Sequence, residues 1–312
     1  MNELELIQIL SRSLPANNSV VTGAGDDCAV LDLNIPGRWL LFKTDAVVEG
    51  VHFTEADPPQ KIGHKALARC LSDIAAMAGT PTAAVITLAL PREFDLKRVE
   101  AIYDGINSLA RRYQVAIVGG DTTTNPDRLL ISVSLIGSVE KDKCVSRSGS
   151  KAGDAIFVCG ELGGSRAGKH LNFEPRLAEA RWLAEHFEIH SMIDVSDGLA
   201  SDVRHLLRAG NVGAELLSDA IPISRAARLQ AKTESSQKPP LLAALTEGED
   251  FELLFTLASK DAVRLLDGWK KQFPKLRLSC IGKIVAAPGL KIRSKTGVQT
   301  LTAHGYIHFK ES

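Results

Sequence analysis

Carboxylates beside small residues recur along this chain: Gly23-Ala-Gly-Asp26-Asp27, Lys43-Thr44-Asp45, Leu71-Ser-Asp73, Gly119-Gly120-Asp121, Asp194-Val-Ser196-Asp197 and Glu247-Gly-Glu249-Asp250. Any one such Asp is more often a turn or cap residue than a ligand. Repetition changes the weighing. Converging carboxylates repel one another unless cations lie between them. With Thr and Ser oxygens alongside, Asp27, Asp45, Asp73, Asp121, Asp194 and Asp197 form the hard-ligand set that magnesium prefers. No His/Cys cluster favours zinc instead. Magnesium on carboxylates usually completes its shell with phosphate oxygens, which points to phosphoryl chemistry on a nucleotide. Such a ligand set requires convergence in space, which spacing alone does not supply.

Two glycine-rich stretches imitate better-known phosphate loops. Gly23-Ala-Gly-Asp-Asp-Cys28 begins as a dinucleotide fingerprint but has Cys28 at the third glycine, and its aspartates would occupy the pyrophosphate's place. Gly163-Gly-Ser-Arg-Ala-Gly-Lys169-His170 matches G-x-x-x-x-G-K, yet His170 stands where a magnesium-binding hydroxyl belongs. It reads as a glycine-rich strand-to-helix turn. Arg147, in a basic Ser/Gly-rich stretch with Lys143 and Lys151, is either a solvated loop residue or a guanidinium for a transferred phosphate. His52, beside apolar residues, is by type alone more often packed than functional.

These residues must be positioned by ordinary globular elements. The chain has 312 residues, 45% hydrophobic and 24% charged, with 37 basic and 37 acidic side chains. That is ample for a core and gives no reason to expect a nucleic acid or membrane surface as partner. Cys28, Cys70, Cys144, Cys159 and Cys280 are scattered with no CxxC pair, which suits a reducing cytoplasm. The start, MNELELIQIL, lacks the basic region of a signal peptide, and no apolar run approaches the roughly 20 residues of a spanning helix.

Periodicity predicts helices over 3–12, 64–78 and 96–113 and strands over 39–45, 83–90, 115–118 and 129–139. The first 140 residues therefore read as a mixed sheet with helices on one face. Residues 141–153 read as a linker. A second α/β unit follows over 154–312, with strands near 155–159, 212–217, 251–257 and 278–284 and helices near 175–188 and 197–209. Residues 233–240 read as a polar surface loop. Most of the carboxylate clusters fall at expected strand ends or helix starts.

The stretches GDDCAVL, KTDAVVEGVHF, KALARCLSDIAAMAGTP, VGGDTT, SRSGSKAGD, DVSDGLASDVRHLL and EGEDFELLF follow in this order over nearly the whole chain. Together they closely resemble the thiamine-monophosphate kinases, a branch of the ATP-binding superfamily of aminoimidazole-ribonucleotide synthetase and selenophosphate synthetase. The resemblance implies a two-domain α/β (α+β) fold whose N-terminal domain binds ATP and magnesium and pairs with a second copy in a homodimer. It implies ATP-dependent phosphorylation of thiamine monophosphate to thiamine diphosphate with several magnesium ions. The acceptor being itself a phosphate, no strong base is needed.

Carried over by position, Asp27, Asp45, Asp73, Asp121, Asp194 and Asp197 look like magnesium ligands, with Thr44 alongside. Tyr103, Gly120, Asp121, Arg147 and Ser196 look like nucleotide contacts, with Arg147 on the transferred phosphate. His52, Glu249 and Tyr306 look like acceptor contacts. Asp26 is either a turn residue or a ligand. The sequence departs from the family pattern in three places. Lys43 stands where many members have Ser, at a position that can contribute to metal binding. Residues 169–178 form a shorter connection, though Glu174-Pro-Arg176 is retained. Ile307 replaces a commonly acidic residue. The rival readings are transfer to another small acceptor within the superfamily, a nucleotide-binding regulator without catalysis, and Asp-Gly runs that merely form turns. The lack of a reactive N-terminal Cys motif argues against selenophosphate synthesis.

Overall fold

The computed structural model describes residues 3–233 and 238–306. Helix α1 (Glu3–Ser11) precedes β1 (Val20–Thr22), β2 (Ala29–Leu31), β3 (Arg38–Val48), α2 (Pro59–Ala76), β4 (Thr80–Leu90), α3 (Leu96–Arg112), β5 (Ala116–Thr124) and β6 (Leu130–Glu140). These six strands form one sheet in the order β1-β2-β3-β6-β4-β5, parallel between β4 and β5 and otherwise antiparallel. Along β6, Ile131, Val133, Leu135 and Val139 are buried while the serines between them are half-exposed. This period-2 pattern turns one face towards helices. Helices α2 and α3 cross at close range there: a Cβ on Gly63 would lie 1.9 Å from the Ile102 carbonyl oxygen, so only glycine fits.

Residues 141–153 hold neither helix nor strand. The second half comprises β7 (Asp154–Cys159), α4 (Leu177–His186), β8 (Ile189–Asp194), α5 (Leu199–Gly210), β9 (Gly213–Leu217), α6 (Arg225–Gln230), α7 (Pro240–Thr246), β10 (Leu253–Ala258), α8 (Ala262–Gln272), β11 (Leu278–Val285), β12 (Gly289–Ser294) and β13 (Gly297–Thr300). Its sheet runs β13-β12-β9-β11-β7-β10-β8, with β9 and β12 parallel. Strand β7 is buried along its whole length between β10 and β11. Its Phe157 and Cys159 face a core shared with α2, α4 and α8, and its Ile156 and Val158 face a second core against α5.

The α/β class and the mixed first sheet with helices on one face agree with the sequence reading. Several boundaries do not, and they matter to the site. Helix α2 begins at Pro59 rather than 64, because proline in the first turn lacks only an N–H that would have no partner anyway. Strand β3 continues past Asp45 to Val48, and β5 continues through Gly119-Gly120-Asp121 because the β-branched Thr122–Thr124 keep pairing with β4. Asp45 and Asp121 are therefore mid-strand and Asp73 lies in the last turn of α2; Asp194 ends β8, and Asp197 precedes α5. The short β1, β2, α6 and α7 and the β12–β13 hairpin gave too little periodic signal to foresee, and β8 and α8 were not foreseen either. The expected loop at 233–240 lies partly outside the described residues, and α7 already begins at Pro240.

Helix α2 is the element that assembles the site. Ile62, Leu67, Leu71 and Ile74 are fully buried on several sides of it, as expected of a helix packed between layers. It touches β3, β4 and β6 of the first sheet and α4 and β8 of the second half.

Candidate active site

Three of the expected metal ligands converge. Asp27 in the turn before β2, Asp73 on α2 and Asp194 at the end of β8 are all buried, with carboxylate oxygens within 4.8 Å of one another. Ser72 donates to Asp194 Oδ2 at 2.5 Å. Burial, then the Asp27 charge, pushes the Asp194 carboxyl up to about 7. Burial likewise pushes Asp73 well above the usual carboxylate range. Asp27 Oδ1 accepts from Arg147 Nη2 at 2.7 Å, while Asp27 Oδ2 is buried with no hydrogen-bond partner. An orphaned buried carboxylate oxygen, in an all-oxygen set, fits a magnesium ion.

Asp26 is distinct from its neighbour. Its carboxylate accepts the backbone N–H of Asp27 at 2.9 Å and that of Arg147 at 3.1 Å. It ties the turn to the segment carrying Arg147. Burial, then the adjacent Asp27, pushes it up to about 6.

Lys65, Arg69 and Asp73 follow one another at four-residue intervals on α2 and so line one stripe of the helix. Arg69 Nη2 lies 3.6 Å from Asp45 Oδ1, and Lys43 Nζ lies 3.8 Å from Asp45 Oδ2 and 3.2 Å from Asp73 Oδ1. Against the effect of burial, these cations hold Asp45 below its ordinary value. Lys65 is fully buried: its Nζ donates to the His52 carbonyl at 2.6 Å and lies 2.5 Å from Glu249 Oε1 and 2.9 Å from His170 Nδ1. Burial lowers Lys65 to about 8. The sequence reading did not assign Lys65, Arg69 or His170 to the site; His170 entered it only as the departure from a phosphate loop. The available signal was a charged stripe through an otherwise apolar helix.

The stripe runs into a cavity of about 610 Å³ lined by His52, Arg69, Ser196, Asp197, Glu249 and Tyr306 among others. His52, Ser196, Glu249 and Tyr306, expected on separate motifs, thus line one cavity. The His52 ring accepts from the Val48 N–H at 3.1 Å. Glu249 adopts φ +64° and donates its N–H to the Ser196 carbonyl at 2.7 Å. Such left-handed backbone at a non-glycine residue persists only where its surroundings enforce it. A Cβ on Gly248 would lie 2.3 Å from the same Ser196 oxygen, which explains the glycine between Glu247 and Glu249. Tyr306 is anchored by its N–H to the Asp197 carbonyl at 2.8 Å. Ile307 lies outside the described residues. Asp197 groups with Asp202 and His205 rather than with Asp27, Asp73 and Asp194. Asp202 itself accepts the N–H groups of Asp197 and Gly198 at the start of α5.

Other expected residues are not brought to this place within one chain. Strand alternation sends Thr44 to the open face of the first sheet, where its hydroxyl accepts from Ser134, while Asp45 faces α2. Gly120 and Asp121 lie on β5, an edge strand separated from β3 by β4 and β6. Tyr103 sits half-buried on α3, which packs on β5 and not on the cavity. The P-loop imitation is resolved too. Gly163–Leu171 forms short 3-10 turns rather than a long helix, and Lys169 Nζ binds Glu252 at 2.8 Å. Arg176 of the retained Glu174-Pro-Arg176 reaches the same Glu252 at 2.8 and 3.0 Å.

Comparison with known proteins agrees with this architecture. Residues 25–139 match the family model for the AIR synthase related protein N-terminal domain, and residues 147–295 match that for its C-terminal domain. The chain is thus a two-domain protein of the AIR synthase related class. Thiamine-monophosphate kinase of Rhodopirellula baltica is 40% identical over 306 residues, covering 96% of this chain and 93% of the relative. That of Bacillus subtilis is 33% identical, covering 99% and 100%. A solved structure described as AaThiL complexed with AMPPCP and TMP superposes with a TM-score of 0.83 at 29% identity, covering 99% of this chain and 97% of the other. The chain belongs to the thiamine-monophosphate kinase family.

Proposed function

We propose that this kinase moves the terminal phosphoryl group of ATP onto the phosphate of thiamine monophosphate, giving thiamine diphosphate and ADP. The observation that carries the reading is the Asp27–Asp73–Asp194 group beside a cavity lined by Arg69, which lies one helical turn from Asp73 on α2 and 3.6 Å from Asp45. An acceptor phosphate oxygen forms the new bond to phosphorus as the bond to the bridging oxygen breaks and its electron pair leaves with ADP. Near neutral pH the acceptor is largely ionised, so no side chain has to remove a proton. The chain's task is then positioning and charge neutralisation.

Asp27, Asp73 and Asp194 would hold magnesium, with Asp45 adjacent, and a bound cation would offset the charge of the phosphates. Arg147, beside Asp27, is placed to bring a guanidinium to the same charge. Ser196 would meet the nucleotide. His52, Glu249 and Tyr306 would hold the acceptor, with Lys65 fixing the Glu249 carboxylate. Among the described residues no helix is long and apolar enough to cross a membrane; we place the protein in the cytoplasm, where ATP is available.

We further infer a homodimer. Strand β2 accompanies β3 only from Leu40 to Phe42, so the rest of that edge, past Lys43, has no strand beside it among the described residues. Strand β5 is largely exposed, and Phe42, Val85 and Val118 are exposed apolar residues on this sheet. Pairing β5 of a second copy with the bare edge of β3 would bring that copy's Gly120 and Asp121 towards Asp45, and Thr44 with it. In its own chain Asp121 stands three strand spacings away from Asp45, roughly 14 Å.

Incubation with ATP, magnesium and thiamine monophosphate should yield thiamine diphosphate and ADP by chromatography, from a preparation that sediments as a dimer. A folded, ATP-binding protein that forms neither product would overturn the substrate, and a purely monomeric species would overturn the pairing.

A further inference from the structure

Lys43 lies on β3 between Leu41 and Asp45 on the side of the strand that faces α2. Its ammonium is 3.2 Å from Asp73 Oδ1 and 3.8 Å from Asp45 Oδ2, and only 22% of the side chain is exposed. The guanidinium of Arg69 holds the other oxygen of Asp45 at 3.6 Å. The carboxylates between β3 and α2 are thus already supplied with positive charge by the chain. On the other side of Asp73 the balance differs: Asp27 and Asp194 crowd it within 4.8 Å, and Asp27 Oδ2 has no partner.

We propose that the Lys43 ammonium takes the place of a divalent cation between Asp45 and Asp73, so that metal binds at Asp27–Asp73–Asp194 and not in the Asp45–Asp73 gap. A divalent ion in that gap would sit against a fixed positive charge at contact distance, where Coulomb repulsion is little screened. The ammonium also supplies three donors, enough for both carboxylates and for a phosphate oxygen brought to the gap. Lys43 is thereby a positioning residue with a permanent charge, independent of the metal concentration on that side. The inference rests on the metal-dependent reading above and deepens it.

The test counts metal rather than turnover. Manganese bound per chain is measured by equilibrium dialysis with a non-hydrolysable ATP analogue, for the wild type, Lys43→Ser, Lys43→Met and Lys43→Arg. Removing the charge in Lys43→Ser or Lys43→Met should add one manganese per chain, while Lys43→Arg keeps the wild-type count. In EDTA the melting temperature of Lys43→Met should drop by several degrees, because Asp45 and Asp73 lose a shared cation, and manganese should restore more of it than it adds to the wild type. Equal counts in all four proteins would overturn the proposal, since Lys43 would then simply move aside for metal. A wild type that binds no manganese with the analogue would overturn the metal reading along with it; where the wild type does bind, a lower count in Asp73→Asn places the metal at the Asp27–Asp73–Asp194 group. If Lys43→Ser does not fold, Lys43→Met carries the same expectation.

Discussion

Two buried ionic clusters in this protein follow opposite rules. Under the 160–176 segment, Glu252 is almost fully buried yet meets Arg176 through both of its oxygens and Lys169 at 2.8 Å. Against the effect of burial, Lys169 and then Arg176 hold its carboxyl below the ordinary value. Where the halves meet, Asp27, Asp73 and Asp194 outnumber nearby basic groups on their side, one oxygen is orphaned, and Asp194 is pushed up to about 7. A balanced cluster needs nothing from outside and works as architecture. A cluster left short of positive charge keeps a large electrostatic cost that an incoming cation relieves, which is the mark of a binding centre.

The sharpest test of this contrast is Asp73→Asn. Turnover should drop by roughly two to three orders of magnitude, with the metal-free melting temperature changed little, because relief of the crowding with Asp27 and Asp194 offsets the lost contact with Lys43. A steady-state assay for ADP beside a thermal melt reads both. A loss of stability with activity retained would make Asp73 a structural residue and erase the distinction.

The complementary change is Glu252→Gln, which strands Arg176 and Lys169. It should cost about 3 kcal/mol of stability and leave the turnover of the surviving folded protein close to that of the wild type. Loss of turnover at unchanged stability would move Glu252 into the active site.

The smallest expected effect is a pH dependence. Burial holds both Asp194 and Asp250 up to about 7, against 3.8 for an ordinary aspartate. Between those values the folded protein keeps protons that the unfolded chain has released. The associated stability is complete at low pH and is lost as pH rises through about 7. Without divalent cations the melting temperature should therefore decline as pH rises across this window. Magnesium should remove the share due to Asp194, since a bound cation keeps that carboxylate ionised. The share due to Asp250 should remain, and Asp250→Asn should remove it. A melting temperature that rises across the same window would contradict the assignment.

Much of the fold was legible because its signals are local. The alternation of β6, the apolar run of β7 and the helical spacing in α2 and α3 each express a face turned to the core. The site was legible only in part. Asp27, Asp73 and Asp194 could be nominated from their motifs, but so could Asp45, Thr44 and Asp121, which take different positions on the first sheet. Lys65 was missed because a lysine in a helix is ordinarily solvated; here it is enclosed by His52, Glu249 and His170, which come from distant parts of the chain.

By itself the sequence determined the chemical inventory: oxygen ligands without a thiol or imidazole cluster, two α/β halves, and motifs in the order of one kinase family. Tertiary structure alone decided which carboxylates meet. Convergence depends on α2 being packed between two sheets, a long-range outcome of burying apolar surface on several sides of one helix. It also depends on strand geometry, which sends Thr44 and Asp45, neighbours in sequence, to opposite faces of a sheet. The role of Lys43 follows from that alternation, because the same pleat aims its ammonium at Asp45 and Asp73.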